Sequence, residues 1–324
     1  MKITVIGASG HAGSYLVPLL VQEGHEVTAV ARGSQLPYTK KDTFNDQETV
    51  RLWNDVQFLK ADRRQMEKDG SFGDFIRNTG ADIVCDLICY ERSQAEQVTK
   101  ALAGYTQHYL CLGSIWIFGH NVYVPTDEQH PRTAIGAYGN GKVEIESYLM
   151  QLSEEKKLNC TVIHPGHIVG KGWAPLNPQG NFNPAVFQSI IRGDEITLPL
   201  YGNYTVHHVH AQDVAQLTLH AINRPEQSVS QSFLAVSPNA VTLRGFAEAL
   251  YKYYGHEPAI RWLPHNEFLS SLSETDAAQS IEHLSRSPSV SPAKAARLLD
   301  FVPKYSSIDA VVESVDSLVE MRII

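Results

Sequence analysis

One stretch of this chain indicates its fold: Ile3-Thr4-Val5-Ile6-Gly7-Ala8-Ser9-Gly10-His11-Ala12-Gly13. Its first four residues predict a buried strand, and three glycines spaced Gly-x-x-Gly-x-x-Gly follow at once. Gly7 lets the chain leave the strand sharply, Gly10 lets the backbone approach a pyrophosphate, and Gly13 lets the next helix pack close to the sheet. A helix that begins here directs free N–H groups at an anion, so we expect Ser9, His11 and Ala12 to contact a dinucleotide as well.

Strand and helix patterns alternate through the first half of the chain. The apolar runs predict strands at 3–6, 26–31, 56–60, 82–89, 108–112 and 160–164. Segments between several of them have helical spacing, notably 13–23, 91–103 and 141–156. Strands separated by helices predict an α/β protein with a Rossmann-type, doubly wound parallel sheet.

After about residue 165 the pattern changes to glycine and proline, and then to short helical and strand-like pieces. We therefore expect a dinucleotide-binding domain over residues 1–165 and a smaller lobe, mainly substrate-binding, over residues 166–324. Strands and helices are expected to return to the Rossmann core around residues 200–235. In such folds, ligands bind at the carboxyl edge of the sheet, where this lobe would close.

Composition and charge exclude several classes of function. The 43% hydrophobic and 19% charged residues are ordinary for a soluble protein, and no apolar run is long enough to span a bilayer. The net charge of -8 argues against a nucleic-acid partner, because binding to phosphates needs a basic surface. The start, Met-Lys followed by a strand, leaves no room for a signal peptide, and the four cysteines form no Cys-x-x-Cys pair. The sequence predicts a cytoplasmic protein without a metal site.

Three residues predict the chemistry of the site: Ser114, Tyr138 and Lys142. Tyr138 and Lys142 lie four apart, so on a helix they share one side. An ammonium group near a phenol lowers the pKa of the phenol, which makes Tyr138 a general acid or base. Ser114 is expected to bond a substrate oxygen, and Lys142 to hold the nicotinamide ribose. The set predicts hydride transfer coupled to proton transfer.

The end of the second predicted strand favours NADP(H) over NAD(H), although NAD(H) stays open. An acidic residue there would bond the ribose 2′-hydroxyl, but this chain has Val30-Ala31-Arg32-Gly33-Ser34. Arg32 can pair with a 2′-phosphate and Ser34 can add a hydrogen bond; Arg32 can instead stack on the adenine. Asp62 is placed either to contact the adenine amine or to cap a helix over 63–77.

These motifs resemble the extended short-chain dehydrogenase/reductases of the NAD-dependent epimerase/dehydratase family, and in particular its subgroup of chloroplast stem-loop binding proteins. The resemblance covers nearly the whole chain and implies that Tyr138 exchanges the proton, Ser114 assists it, Lys142 binds the cofactor and Pro165 lies beside the nicotinamide amide. It rests on the glycine turn, Ser114 to Gly119, Tyr138-x-x-x-Lys142, Pro165-Gly166-x-Ile168-x-Gly170, Val209 to Ala215, Leu299-Asp300-Phe301-x-Pro303, Ala61 to Arg64 and Leu198-Pro199.

The chain departs from the family at three places. Val206 stands where sugar-nucleotide members carry an arginine that binds the diphosphate, which puts a nucleotide-sugar substrate in doubt. His164 precedes Pro165 where arginine is common, and Tyr90 replaces a small residue. We expect substrate contacts from Tyr90, Trp116, His167, Phe182 and His208, with His167 also beside the cofactor. Apart from Asp213, no nearby cysteine or acid completes a metal site with His207, His208 and His210, so substrate or polar roles are favoured over a metal.

The function predicted is an NAD(P)-dependent oxidoreductase of epimerase/dehydratase type that acts on a secondary alcohol or ketone of a small, carbohydrate-like molecule. The alternatives are a non-catalytic RNA-binding protein and a redox-sensing protein on the same fold. The resemblance also suggests a homodimer through helices 91–103 and 141–156, although the glutamates of the second helix leave a monomer open. The sequence leaves dehydrogenase, epimerase and dehydratase activities open.

Overall fold

A parallel sheet forms the centre of the protein in the computed structural model, which describes residues 1–33 and 47–324. The strands of the described residues are β1 (Lys2–Ile6), β2 (Glu26–Ala31), β3 (Gln57–Lys60), β4 (Ile83–Asp86), β5 (His108–Leu112), β6 (Cys160–Pro165), β7 (His167–Val169), β8 (Ile196–Pro199), β9 (Thr205–Val206), β10 (His208–His210), β11 (Gln231–Ala235), β12 (Val241–Thr242) and β13 (Ile260–Leu263). Seven of them lie in the order β11-β6-β5-β4-β1-β2-β3. This order, which reverses at β1, is that of a Rossmann-type doubly wound sheet, as predicted.

Helices connect and cover these strands. Those of the described residues are α1 (His11–Gln22), α2 (Gln47–Leu52), α3 (Arg63–Lys68), α4 (Phe72–Arg77), α5 (Arg92–Leu102), α6 (Gly136–Glu154), α7 (Ala185–Arg192), α8 (Ala211–Asn223), α9 (Pro225–Ser228), α10 (Leu243–Tyr253), α11 (His265–Ser270), α12 (Glu274–Leu284), α13 (Ala293–Leu299) and α14 (Ser307–Glu320). Among the helices that the structure describes, none is long and apolar enough to cross a bilayer.

Two apolar layers hold the helices on the sheet. On one face Ile3 and Val5 of β1 pack with Leu16 of α1 and Leu217 of α8. On the other face the core contains α4, α5 and α6, with fully buried Phe72, Val98, Ile145 and Leu149. Because both faces are covered, the central strands are mostly apolar, as the continuous runs predict.

A third apolar core organises the C-terminal part of the chain. Phe187 of α7, Leu198 of β8, Phe246 of α10 and Val315 of α14 are buried together there. Short strand pairs, β8 with β13 and β9 with β12, lie in this part, and β11 returns to the edge of the main sheet beside β6. The boundary near residue 165 stays a prediction.

Three elements differ from the sequence-based expectation. The strand expected over 82–89 ends at Asp86, because the carboxylate of Asp86 accepts a hydrogen bond from the backbone N–H of Ile88 and the chain leaves the sheet. The helix expected over 63–77 is divided into α3 and α4, with Gly70 between them at φ +79°. Helix α6 begins at Gly136, five residues earlier than the predicted start at Gly141 (141 − 136), so it carries both Tyr138 and Lys142.

Asp86, a carboxylate within a buried strand, is explained by a partner that sequence reasoning did not find. It is fully buried, and the Nη1 of Arg63 lies 2.7 and 2.9 Å from its two oxygens. The hydroxyl of Tyr109 donates to the same carboxylate at 2.8 Å. Arg63 also donates to Glu67. The ion pair therefore fixes the start of α3 beneath the carboxyl edge of the sheet.

Arg63→Met should leave the buried carboxylate of Asp86 without a counter-charge and lower the free energy of unfolding by about 3–5 kcal/mol. Adding Asp86→Asn should recover part of that loss, because Asn keeps an acceptor for Tyr109 without the charge. Arg92→Met is the control: its ion pair with Glu96 is half exposed, and we expect a loss below about 1 kcal/mol. Urea unfolding measures all three; equal losses for Arg63→Met and Arg92→Met would contradict the structural role of the buried pair.

Candidate active site

The glycine turn joins β1 to α1 with almost no free space around its backbone. Gly7 has a φ of +84°, and a Cβ there would lie 2.7 Å from Cγ2 of Ile88. A Cβ on Gly13 would lie 2.5 Å from the carbonyl oxygen of Ala8. Only glycine fits these two positions, so the first turn of α1 lies directly against the strand end. This is the close packing expected for a phosphate-binding turn.

Two adjoining cavities run along the carboxyl edge of the sheet from this turn. The larger, of about 640 Å³, extends past β5 and β6 toward the C-terminal part of the chain. The smaller, of about 440 Å³, lies between the ends of β2 and β3. The larger cavity brings together most of the predicted site residues: Gly7, Gly10, His11, Ala12, Gly13, Arg32, Tyr90, Ser114, Trp116, Tyr138, Lys142, Pro165, His167 and Phe182. Ser9, Arg32 and Asp62 line the smaller one, and Ser34 lies outside the described residues.

Asp62 lies at the boundary of the smaller cavity and caps a helix. Its carboxylate accepts a hydrogen bond from the backbone N–H of Gln65 at 3.2 Å, which makes it the N-cap of α3. Helix capping and a contact with the adenine amine are compatible for Asp62, because a carboxylate has a second oxygen that can accept from a ligand.

Ser114 and Tyr138 meet at the floor of the larger cavity. Ser114 ends the segment after β5 and caps a short 3₁₀ helix, where its Oγ accepts from the backbone N–H of Trp116 at 3.2 Å. Burial raises the pKa of Tyr138, and the hydrogen bond with Ser114 opposes that rise. The edge of Tyr138 packs on Trp116, with ring centroids 5.6 Å apart.

Lys142 does not act on Tyr138 in the way the sequence suggests. Its Nζ is buried and donates to the carbonyl oxygens of Cys89 at 2.6 Å and Leu112 at 2.8 Å. It lies 5.0 Å from the ring centroid of Tyr90 and 5.7 Å from that of Tyr138. The expected lowering of the Tyr138 pKa by Lys142 is therefore absent in this structure: the pKa is raised, and Ser114 is the group that opposes the rise. The two carbonyl groups fix the position of the ammonium.

His167 forms the far wall of the cavity with other rings. Its imidazole lies 5.0 Å from that of His283 and 6.4 Å from the Trp116 ring, centroid to centroid. Burial, together with the neighbouring His283, holds the pKa of His167 well below its usual value, so this wall is uncharged at neutral pH. Phe182 packs edge-on against His283 at 5.4 Å.

His208 does not line the cavity, contrary to the prediction that it contacts substrate. It is fully buried, its Nε2 lies 3.4 Å from the carbonyl oxygen of Leu176, and its ring packs against Phe246. Burial lowers its pKa to about 3. Strand alternation in β10 turns its side chain into the third apolar core. In residues 1–33 and 47–324, no group of three or more histidine, cysteine or acidic side chains is arranged to hold a metal.

Sequence reasoning missed two residues next to the site. Arg286 is buried, and its guanidinium stacks on Trp116 at 3.9 Å. It donates to the carbonyl oxygen of Ile135, just before α6. Glu146 of α6 pairs with Arg132 at 2.8 Å and lies 3.2 Å from Nε2 of His164. The contacts of Arg286 and of Glu146 join residues far apart in the chain, so sequence spacing does not reveal them. The presence of His164, where arginine is common in the family, was the one feature of the sequence that pointed to this region.

A family comparison agrees with this geometry. The NAD dependent epimerase/dehydratase family matches residues 3–236, which is more than half of the chain. The chain belongs to this family. The resemblance expected from the sequence is therefore confirmed, and with it the Rossmann-type fold of this family.

Known relatives of this epimerase/dehydratase family member include a plant protein and solved bacterial structures. The chloroplast stem-loop binding protein of 41 kDa b from Arabidopsis thaliana is 28% identical over 267 residues, which are 80% of this chain. The chain spans 65% of the length of that curated relative. UDP-glucose 4-epimerase of Thermotoga maritima, solved with UDP-glucose, has a TM-score of 0.71 and 20% identity over 99% of this chain and 100% of its own. UDP-glucuronic acid 4-epimerase of Bacillus cereus, solved with UDP-glucuronic acid and NAD, has a TM-score of 0.74 and 16% identity over the same shares.

Glu146 predicts a pH dependence of stability. Burial raises its pKa, but His164 and Arg132 outweigh burial and hold the pKa far below its usual 4.5. A carboxylate whose pKa falls on folding stabilises the folded state fully above its unfolded pKa, and progressively less as the pH drops below that value. Glu146→Gln should therefore lower the free energy of unfolding by about 2–4 kcal/mol at pH 7 and by less at pH 4.

Urea unfolding at the two pH values measures this difference. Glu144→Gln is the matched control, since Glu144 is exposed on the same helix and should change stability by less than about 0.5 kcal/mol at either pH. A loss for Glu146→Gln that is equal at both pH values, or larger at pH 4, would contradict the assignment.

Proposed function

We propose that the protein is a nicotinamide-dependent oxidoreductase of epimerase/dehydratase type, acting on a secondary alcohol or ketone of a carbohydrate-like molecule. One observation carries this proposal: Ser114, Tyr138 and Lys142 converge in the cavity that begins at the glycine turn. The residues present fit a dinucleotide, because the glycine-rich turn and the start of α1 meet at one end of this cavity. When bound, the nicotinamide ring supplies or accepts the hydride.

The proposed proton path uses Tyr138. In reduction, the phenol gives its proton to the carbonyl oxygen of the substrate while hydride arrives at the carbonyl carbon, and an alcohol forms. In oxidation, the phenolate takes the hydroxyl proton while hydride leaves the same carbon, and a ketone forms. A phenol is protonated at neutral pH, so the resting protein is prepared for the proton donation that reduction needs. Ser114 hydrogen-bonds the same oxygen, and Lys142 is placed to hold the ribose of the cofactor.

The lining supports an uncharged, ring-shaped substrate. Trp116, Phe182 and the neutral His167 form the wall on the far side of Tyr138. Val206, where a diphosphate-binding arginine was expected for nucleotide sugars, is buried in β9 at 1% exposure. Aromatic faces bind sugar rings through their apolar sides. We therefore propose free sugars or polyols ahead of the UDP-sugars that the bacterial epimerases were solved with.

Tyr138→Phe should reduce turnover by about 100-fold or more, because it removes the group that moves the proton. Its affinity for reduced dinucleotide should stay unchanged. The measurement is the absorbance of the reduced nicotinamide with a panel of sugars, polyols and UDP-sugars, with Tyr105→Phe, an exposed tyrosine, as the control. A Tyr138→Phe protein as active as the control would end the assignment. Turnover of UDP-sugars alone would overturn the proposed substrate class but not the chemistry.

The cofactor preference depends on Arg32, which lines both cavities. Its guanidinium can pair with a 2′-phosphate, which supports NADP(H), whereas the name of the family and the NAD bound in the Bacillus cereus structure support NAD(H). From Arg32 we expect NADPH to bind more tightly than NADH, and Arg32→Ser to reduce NADPH affinity by about tenfold while sparing NADH. Calorimetry decides this, with Arg64→Ser on the same cavity as control. Tighter binding of NADH by the unmodified protein would contradict it.

RNA binding is the second candidate, because the Arabidopsis relative is named for binding stem-loops. The net charge of -8 weighs against it, since phosphate binding needs a basic surface. We expect no saturable binding of a labelled RNA stem-loop at physiological salt. Binding that weakens with salt and is unaffected by Tyr138→Phe would favour this candidate over the enzyme.

A homodimer through α5 and α6 stays a proposal. The two helices contact each other, with the Thr99 hydroxyl 3.0 Å from that of Tyr148. Their exposed side chains include Arg92, Lys100 and Glu144. Sedimentation of the unmodified chain would distinguish dimer from monomer.

A further inference from the structure

The backbone segment Leu112–Ser114, at the end of β5, positions both partners of the catalytic tyrosine. The carbonyl oxygen of Leu112 accepts from Nζ of Lys142 at 2.8 Å. Two residues later, the hydroxyl of Ser114 acts on the Tyr138 phenol and opposes the rise in its pKa that burial causes. Any shift of this segment therefore moves the ammonium and the serine hydroxyl relative to Tyr138. The groups that hold Leu112–Ser114 in place therefore determine the geometry of the site.

The imidazole of His164 lies directly beneath this segment. It is fully buried, and its Nδ1 accepts a hydrogen bond from the backbone N–H of Ser114 at 3.1 Å. A Cβ on Gly113 would lie 2.1 Å from the same Nδ1, so glycine is needed for the ring to approach. Because Nδ1 accepts, it carries no proton, and the ring proton is on Nε2.

The other side of the ring faces a fixed carboxylate. Nε2 of His164 lies 3.2 Å from Oε1 of Glu146. Arg132 binds both oxygens of Glu146, with its Nη2 2.8 Å from Oε1 and its Nε 2.9 Å from Oε2. The guanidinium also donates to the carbonyl oxygens of Glu128 and His130. This fixed carboxylate lies close to Nε2 without hydrogen-bond geometry, and its charge favours the tautomer that carries the proton on Nε2.

Glu146 connects this arrangement to the catalytic helix. It lies on α6, four residues after Lys142 and eight after Tyr138, so the three side chains follow one side of the helix. The helix that carries the phenol and the strand end that carries Ser114 are thus joined through a single ring. Neither Glu146 nor His164 lines the cavity among the described residues.

We propose that His164 is a positioning residue: Arg132 and Glu146 orient its imidazole, and its Nδ1 holds the Ser114 backbone where the serine hydroxyl reaches Tyr138. This deepens the proposed function and rests on it, since it assigns a role toward Tyr138. His164 touches neither substrate nor cofactor in this account. Its effect reaches the reaction only through Ser114.

Two substitutions separate this role from simple packing. Asn at position 164 places an amide oxygen near the position of Nδ1 but does not reach Glu146. Gln places an amide near the position of Nε2 but offers no acceptor to Ser114. If the ring only fills space, the two variants should affect Tyr138 alike.

The measurement is the ionisation of Tyr138, followed by NMR of protein with ¹³C-labelled tyrosine in the absence of dinucleotide, with Tyr138→Phe to identify its signal. His164→Gln should raise the apparent pKa of Tyr138 by about 0.5 or more, because the opposing hydrogen bond from Ser114 is displaced. His164→Asn should leave it near that of the unmodified protein. Equal titration of Tyr138 in both variants, shifted or not, would overturn the proposal.

Should neither variant fold, the unmodified protein still decides the question. The ring ¹⁵N signals of His164 at neutral pH should report a proton on Nε2 alone, and a proton on Nδ1 would overturn the proposal. Binding of NADH and NADPH is measured separately on the unmodified protein. If neither dinucleotide binds, the proposed function fails, whereas the contact between His164 and Ser114 is judged by the titration alone.

Discussion

The site depends on one buried ammonium group. Lys142 is 2% exposed, yet its charge is compensated by two backbone carbonyl groups, those of Cys89 and Leu112, and by the faces of two tyrosine rings. A buried cation is costly unless it is hydrogen-bonded, so these carbonyls must remain where they are for the fold to be stable. Cys89 lies in the loop after β4 and Leu112 is the last residue of β5, so the lysine fixes the two strand ends between which the cavity opens.

The hydrogen bonds of Lys142 also distinguish its role from those of Ser114 and Tyr138. An ammonium has three donors, and two of them are used by carbonyl groups among the described residues. The charge lies nearer to Tyr90 than to Tyr138, and burial dominates the pKa of Tyr138. Ser114 is the polar group that acts on the phenol, and its own position comes from the backbone. A buried imidazole, a carboxylate and a guanidinium beneath the sheet edge supply that position.

Local patterns made the fold predictable, and contacts distant in the chain limited the prediction of the site. The path from β1 through the glycine turn to α1 follows from eleven consecutive residues, Ile3 to Gly13, since a Cβ is excluded at Gly7 and Gly13 by atoms close in sequence or at the sheet edge. Asp86 is a carboxylate inside an apolar strand, but its partner Arg63 lies 23 residues away and spacing gives no sign of it. The burial of His208 and the carbonyl partners of Lys142 likewise depend on how strands and lobes meet. Periodicity places a side chain on one face of an element but does not say what that face packs against.

The central claim is that the cavity at the glycine turn binds a nicotinamide dinucleotide beside Tyr138. The most direct test is a fluorescence titration of the unmodified protein with NADH and with NADPH, since Trp116 and Trp173 lie in the cavity wall. We expect saturable binding of at least one of them, one molecule per chain, with energy transfer from tryptophan to the reduced nicotinamide. Absence of saturable binding by either dinucleotide at millimolar concentration would contradict it.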